Sequence, residues 1–206
     1  MKIIELQVGQ LGTNCYVVYC EQTLKAGVID PGGSAEAIIA EIKKANLKVE
    51  YIINTHGHAD HIAANDAVQQ ATGAKILIHH EDADMLTSAQ RNLSMFIGGG
   101  IVCQPADQLL SHNDTVIIGS IELKVLHTPG HTPGGICLLS DKVLIAGDTL
   151  FAESIGRTDF PGGSYNQLIN SIKDNLMKLA DDVEVLPGHG PKTSIGWERN
   201  HNAFIQ

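Results

Sequence analysis

Two β-sheets packed face to face with helices outside, an α/β architecture, is the fold class that this 206-residue sequence predicts. Three observations predict it. Apolar runs of strand length alternate with stretches of helical periodicity, the order strands-then-helices occurs twice, and no Pro/Ser-rich linker divides the halves. A chain of this length suits one domain, and 43% hydrophobic residues is ample for a core.

Taken in order, Ile3–Val8, Asn14–Tyr19 and Leu24–Ile29 read as strands joined by short turns. Pro31-Gly32-Gly33 breaks the run, and Ser34 is expected to cap a helix whose apolar positions are Ala37, Ile38, Ile42 and Ala45. Val49–Asn54 reads as a buried strand, Asp60 to about Ala71 as a helix, Lys75–His79 as a strand and Glu81 to about Leu86 as a short helix. The second half repeats the theme. Thr115–Ile118 and Ile121–His127 flank Gly119-Ser120 as a hairpin, and Ile136–Leu139 and Val143–Ala146 flank Ser140-Asp141 as another. Ser164 to about Leu179 is the clearest amphipathic helix, with Leu168, Ile172, Leu176 and Leu179 on one face. Val183–Leu186 is the last strand expected, and Ser194 can cap a terminal helix.

Composition narrows the function classes. Fourteen Lys and Arg against 23 Asp and Glu give a net charge of −9, which argues against general nucleic-acid binding. An acidic substrate stays open, because bound cations would invert the potential of a pocket locally. No run approaches the ~18 apolar residues of a membrane span, and Met1-Lys2-Ile3-Ile4-Glu5 turns polar too soon for a signal peptide. A cytoplasmic protein with no membrane partner is the expectation. Cys15, Cys20, Cys103 and Cys137 form no Cys-x-x-Cys pair and are expected to be buried thiols.

The chemistry concentrates in Thr55-His56-Gly57-His58-Ala59-Asp60-His61, where three imidazoles and a carboxylate follow a strand within six residues. These are ligand types that zinc takes. Gly57 and Ala59 let the backbone turn so that side chains converge. His131 follows a strand through Thr128-Pro129-Gly130, Asp148 comes directly after another, and His189 follows a third through Pro187-Gly188. Ligand-type residues at strand ends gather where open α/β folds place their sites. An isolated loop histidine is ordinarily solvated, but this grouping points to a metal site. His79, His80, His112, His127 and His201 show no such pattern and are expected in structural or surface roles.

His56-x-His58-x-Asp60-His61 with His131, Asp148 and His189 resembles the signature of the metallo-β-lactamase superfamily, over nearly the whole chain from Gly12-Thr13-Asn14-Cys15-Tyr16 onward. The resemblance implies an αβ/βα four-layer sandwich of two mixed sheets with helices on the outer faces. It also implies two divalent metal ions, most simply zinc, with iron or manganese as alternatives. By that resemblance His56, His58 and His131 hold the first, Asp60, His61 and His189 the second, and Asp148 bridges them. Asp60 and Asp148 resemble the glyoxalase II branch, where true β-lactamases with a cysteine ligand differ. Thr128-Pro129-Gly130-His131-Thr132-Pro133-Gly134, Gly147-Asp148-Thr149-Leu150-Phe151 and Gly156-Arg157-Thr158-Asp159 are similar to short, single-domain members of that branch and to persulfide dioxygenases. Longer glyoxalase II enzymes carry a C-terminal helical extension that grips glutathione; this sequence ends a few residues past Trp197.

The activity implied is hydrolysis of a small-molecule thioester such as S-D-lactoylglutathione. Two ions about 3.5–4 Å apart share a water, lower its pKa towards ~7 and polarise the carbonyl. Asp60 and Asp148 are the catalytic candidates, and no Gly-x-Ser-x-Gly elbow suggests a serine nucleophile. Arg157 and Asp159 are either substrate contacts or part of an internal Arg157–Asp159 or Arg157–Asp60 link that holds the loop, and Phe151, Phe160 and Tyr165 are pocket or core residues. The alternative is a mononuclear-iron persulfide dioxygenase using His56, His131 and Asp148. A monomer or small homo-oligomer is expected.

Overall fold

Strands that are apolar at consecutive positions need cover on both faces, and the chain provides it twice. The computed structural model describes residues 1–96 and 99–206. The first sheet runs in the order β1 (Lys2–Val8), β2 (Thr13–Tyr19), β3 (Lys25–Ile29), β4 (Lys48–Ile53), β5 (Lys75–His79), β6 (Gln108–Leu110). Its first three strands are antiparallel neighbours, and β3 to β6 are parallel, so the sheet is mixed. The second sheet contains β7 (Thr115–Ile118), β8 (Ile121–His127), β9 (Ile136–Ser140), β10 (Val143–Gly147), β13 (Glu184–Pro187) and β14 (Thr193–Ser194), with only β10 and β13 parallel. A small ribbon of β11 (Leu150–Phe151) and β12 (Ser154–Ile155) follows β10.

Alternation of side chains across each strand assigns the layers. Ile53, Leu77 and Ile29 meet Leu123, Leu138 and Ile145 between the two sheets. Their neighbours Ile52, Ile76 and Val28 face the other way, against α1 (Ala35–Lys44) and a helix through Val68. Leu144, Cys137 and Val185 pack under the helices that carry Leu168, Ile172 and Ile195. The result is the four-layer αβ/βα sandwich. Val–Ile–Leu strands burying both faces contribute the bulk of the stabilisation, about 1.5–3 kcal/mol per large side chain. All four cysteines are buried and unpaired, as expected. Among the described residues no helix is long and apolar enough to cross a membrane.

Several expectations need correction. The helix expected over Asp60–Ala71 is two, α2 (Ala59–Ile62) and α3 (Asn65–Thr72). The break comes where Ala64 N turns away to donate to Pro31 O at 2.8 Å. Ser34 does not cap α1: its φ is +49°, and its hydroxyl instead accepts from Gly9 N at 3.2 Å. Ala37 is exposed and Ala35 packs in its place. Glu81–Leu86 divides into a tight turn over His80–Asp82 and α4 (Ala83–Leu86). The helix after Ser164 is α-helical only over Tyr165–Ser171 (α5) and widens to a π-helix over Ile172–Leu176, which keeps Leu168, Ile172 and Leu176 buried together. The short strands β6, β11, β12 and β14 lack an apolar run long enough to announce them. Ser164 and Ser194 do cap, accepting from Gln167 N and Trp197 N, the latter at the start of α6 (Ile195–His201).

The sheets are fastened at one end by polar bonds. Tyr16 Oη, on β2, donates to Pro187 O at 2.7 Å, and Asn14 Nδ2 donates to Pro187 O at 3.1 Å and Gly190 O at 2.9 Å. Asn14 N also donates to Gly188 O at 2.8 Å. Tyr16→Phe removes one buried donor while Asn14 still serves Pro187 O. It is expected to lower unfolding stability by about 1–2 kcal/mol, read from a urea titration with unchanged slope.

Candidate metal centre

The fastened end is where the histidines collect. β4 runs into Thr55–His61, β8 into the loop with His131, β10 into Asp148 and β13 into the loop with His189. Backbone bonds hold these loops to one another. Gly188 N donates to Gly147 O at 2.8 Å, and Ile136 N donates to Thr55 O at 2.8 Å. At Gly188 a side chain would collide with Asp148 Oδ1 and come within 2.8 Å of His61 Cε1, so only glycine lets the chain pass behind the carboxylate.

The structure brings together every residue that the signature nominated. His56, His58 and His131 form one group of converging ligand atoms, Asp60, His61 and His189 another, and His56, His61 and Asp148 a third that lies between them. His58 Nδ1 is 2.9 Å from His131 Nε2, His61 Nε2 is 3.3 Å from His189 Nε2, and His189 Nε2 is 3.1 Å from Asp60 Oδ2. Asp148 Oδ1 is 3.4 Å from His61 Nε2 while its Oδ2 is 3.6 Å from His131 Nε2, so one carboxylate faces both groups. Donor atoms about 3.3 Å apart match the edges of a tetrahedron with bonds of roughly 2.0–2.1 Å.

The deciding detail is which nitrogen each ring keeps free. Thr55 Oγ1 donates to Asp30 Oδ2 at 2.6 Å, so it accepts from His56 Nδ1 at 3.2 Å and leaves His56 Nε2 bare. His61 Nδ1 donates to Asp30 Oδ2 at 3.0 Å, and His131 Nδ1 donates to Arg157 O at 2.7 Å. Each bond turns the other nitrogen inward. His56 Nε2 and Asp148 Oδ1 are buried with no hydrogen-bond partner among the described residues. Two orphaned acceptors side by side would be costly in an empty core. They are what cation ligands look like, so these clusters fit metal ions.

Electrostatics agree. Burial, then the surrounding imidazoles, push His56 well below the usual histidine range and hold His58 down to about 3, so both are neutral donors. Burial opposes the charge on Asp60, but His61 and His189 outweigh it and pull its carboxyl below the usual range. His61 is the reverse: burial disfavours its proton, yet Asp148, Asp30 and Asp60 raise it to about 10.

Two supporting residues carried no sequence expectation. Asp30, after β3, also accepts from Thr55 N at 2.7 Å, and its strand-end position was the same signal that marked the ligands. Asp82 is buried and accepts from Gly57 N at 3.1 Å, Thr132 Oγ1 at 2.7 Å and Gly134 N at 2.6 Å, joining the His56–His58 turn to the His131 loop. Nothing local in the sequence marks it.

His58, Asp60, His131, Asp148 and His189 line an open cavity of about 610 Å³. Leu11, Leu93, Phe151 and Phe160 supply much of its apolar wall. Tyr165 is not among the lining residues and starts α5 half-exposed. Arg157 spends its guanidinium on Asp159, with Nε and Nη2 at 2.8 and 2.7 Å, and stacks over Phe160 at 3.8 Å. That pair holds the Asp159 carboxyl down to about 2. Arg157 lines the cavity as well, its carbonyl accepts from the candidate ligand His131, and Phe160 stands edge-on to His58.

A model of the metallo-β-lactamase superfamily matches residues 8–189. The chain belongs to the metallo-β-lactamase superfamily. Relatives within it include a hydroxyacylglutathione hydrolase, GloC, of Haemophilus influenzae, 35% identical over 100% of this chain and 98% of that one. Among solved structures, the BLEG-1 B3 metallo-β-lactamase is 38% identical with a TM-score of 0.94, covering 99% of each chain. TTHA1623 in a di-iron-bound form is 30% identical with a TM-score of 0.87, covering 98% of this chain and 99% of that one. ETHE1 from Myxococcus xanthus is 29% identical with a TM-score of 0.82, over 98% of this chain and 84% of that one. The superfamily fold is thereby shared by proteins named for different activities, and the substrate has to be argued from the site.

Two outcomes follow for a superfamily site built this way. Asp30→Asn keeps the shape but weakens the anchor of His61, and is expected to lower metal affinity about 10–100-fold in a chelator competition. Because the metal-free chain keeps a proton on His61 at neutral pH, an ion binding there must displace it. Affinity for that ion should therefore rise about tenfold per pH unit between about pH 6 and 8, with proton release visible in weak buffer.

Proposed function

We propose that the protein is a dinuclear metal-dependent hydrolase acting on thioesters of the S-D-lactoylglutathione kind. The observation that carries the reading is the pair of inward-facing ligand groups with Asp148 between them, opening onto one cavity. In this reading His56, His58 and His131 would hold one ion and Asp60, His61 and His189 the other, with Asp148 between the two groups. Zinc suits the mixed imidazole and carboxylate set, and iron or manganese are the alternatives. Two such ions acidify a shared water and polarise a carbonyl oxygen.

The chain's own groups do the rest. Asp60 lines the cavity and takes a hydrogen bond from Thr13 Oγ1 at 3.4 Å on Oδ2. Held as a carboxylate by His61 and His189, it would orient the attacking water by accepting a hydrogen bond from it. His131, steadied by the Arg157 carbonyl, and His58 set the near wall, while Leu93, Phe151 and Phe160 exclude bulk water around the acyl group. A thiolate leaves without protonation, so a thioester suits a site of this kind, and the relative named for hydroxyacylglutathione hydrolysis supports the choice. Cysteine nucleophiles are not needed; all four are buried away from the cavity lining.

The likeness to ETHE1 supports a second reading, a mononuclear-iron persulfide dioxygenase that uses His56, His131 and Asp148. Metal analysis of the purified protein, joined to parallel assays, separates the readings. Near two ions per chain with loss of the S-D-lactoylglutathione thioester absorbance supports the hydrolase. One iron with oxygen uptake on a persulfide overturns it in favour of the dioxygenase, and turnover of a β-lactam alone overturns both. Asp148→Ala is expected to lower kcat/KM by roughly a thousandfold or more, about 4 kcal/mol of transition-state stabilisation, and to reduce the metal content. Arg157→Ala should cost less than about tenfold, because its backbone and not its side chain meets His131.

A further inference from the structure

A second group of imidazoles lies away from the candidate centre, in the histidines expected to be structural or surface residues. His79 ends β5 in the first sheet, His127 ends β8 in the second, and Glu81 sits in the turn that follows β5. One ligand atom from each lies within 4.8 Å of the others. His127 Nε2 is 3.4 Å from Glu81 Oε2, about the edge of a tetrahedron with bonds of roughly 2.0–2.1 Å. The His79 and His127 rings stack at 4.0 Å with 15° between planes, and His80 lies 4.2 Å from His79 on its other side. His112 joins them, its Nδ1 accepting from His127 N at 3.0 Å.

We propose that His79, Glu81 and His127 form a further metal site, for a borderline divalent ion such as Zn²⁺, that clips the two sheets together. Two imidazoles and a carboxylate are a donor set that zinc takes, with a fourth position left for water or His112. The side chains come from both sheets, so an ion there joins elements that share no strand pairing. His79 is almost fully buried, and its ring makes one hydrogen bond among the described residues, from Glu81 N at 3.4 Å. Burial, then His127 and His80, hold His79 down to about 4, so its lone pairs are available at neutral pH. His127 Nε2 now donates to Pro133 O at 2.9 Å; on binding, its proton shifts to Nδ1 and the ring turns out of its stack with His79, so that the Nε2 lone pair meets the ion. Glu81 is exposed and His127 half-buried, which leaves the ion a way in from solvent.

The test is a zinc titration of the holoprotein by calorimetry, comparing wild type with His127→Gln, Glu81→Gln and, as a control distant in the chain, His201→Ala. Glu81→Gln and His127→Gln change exposed or half-exposed groups, whereas a substitution at buried His79 could unfold the chain. Wild type and His201→Ala are expected to bind one equivalent more than His127→Gln, and Glu81→Gln to bind it at least tenfold more weakly. The ring resonances of His79 and His127 should move with that equivalent, and the unfolding midpoint should rise with zinc concentration in wild type only weakly mirrored by His127→Gln. The count is a difference between variants, so it holds whatever number the first centre takes and is independent of the hydrolase reading. Equal stoichiometry in wild type and His127→Gln, or an extra equivalent that leaves both ring resonances in place, overturns the site.

Discussion

Everything in this molecule answers to one electrostatic constraint: imidazole and carboxylate lone pairs must converge in a buried place without collapsing onto each other's protons. The chain meets it by occupying the outward nitrogens first. Thr55 and Asp30 take the His56 and His61 N–H groups, and the Arg157 carbonyl takes that of His131. What remains is a cluster of inward ligand atoms that suits cations, with His56 Nε2 and Asp148 Oδ1 left without a partner among the described residues. Removing a partner would free a ring to rotate, so the partners belong to the centre as much as the ligands do.

That constraint explains why the centre sits where two sheets meet. A strand end delivers a side chain to a defined point, and parallel neighbours deliver several to the same edge. β3 and β4 bring Asp30 beside the His56–His61 turn, while β10 and β13 bring Asp148 beside His189. The apolar layer between the sheets sets their separation, and Tyr16 and Asn14 lock the register of the two edges through Pro187 and Gly190. Asp82 completes the frame by joining the loops that carry His58 and His131. A hydrophobic core thus acts at a distance, as the spacer that keeps ligand atoms about 3 Å apart.

Much of this was legible in the sequence for reasons that can be named. Central strands such as Val49–Asn54 and Lys75–His79 carry apolar runs at Tyr51–Ile53 and Ile76–Ile78, and burial on both faces is what demands them. The candidate set was legible because its residues are rare types concentrated at strand ends beside Gly and Pro. Where expectation failed, tertiary contact overrode a local pattern. The helix over Asp60–Ala71 has sound periodicity, yet Pro31 O captures Ala64 N and divides it. Ser34 has the chemistry of a cap, but its backbone is left-handed and its hydroxyl serves Gly9. Of the two readings open for Arg157 and Asp159, the fold takes the internal pair.

By itself the sequence determined the alternation of strand and helix, the four-layer class and the identity of the clustered histidines and aspartates, because period and residue type are local properties. Tertiary structure alone decided which nitrogen of each ring is bare, that Asp30 and Asp82 are supports, and that His79 meets His127. Those facts depend on pairs of residues 25 to 52 positions apart, as in Thr55 with Asp30 and Gly134 with Asp82. No local pattern encodes such a pair; only the packing of one sheet against another brings it within hydrogen-bond reach.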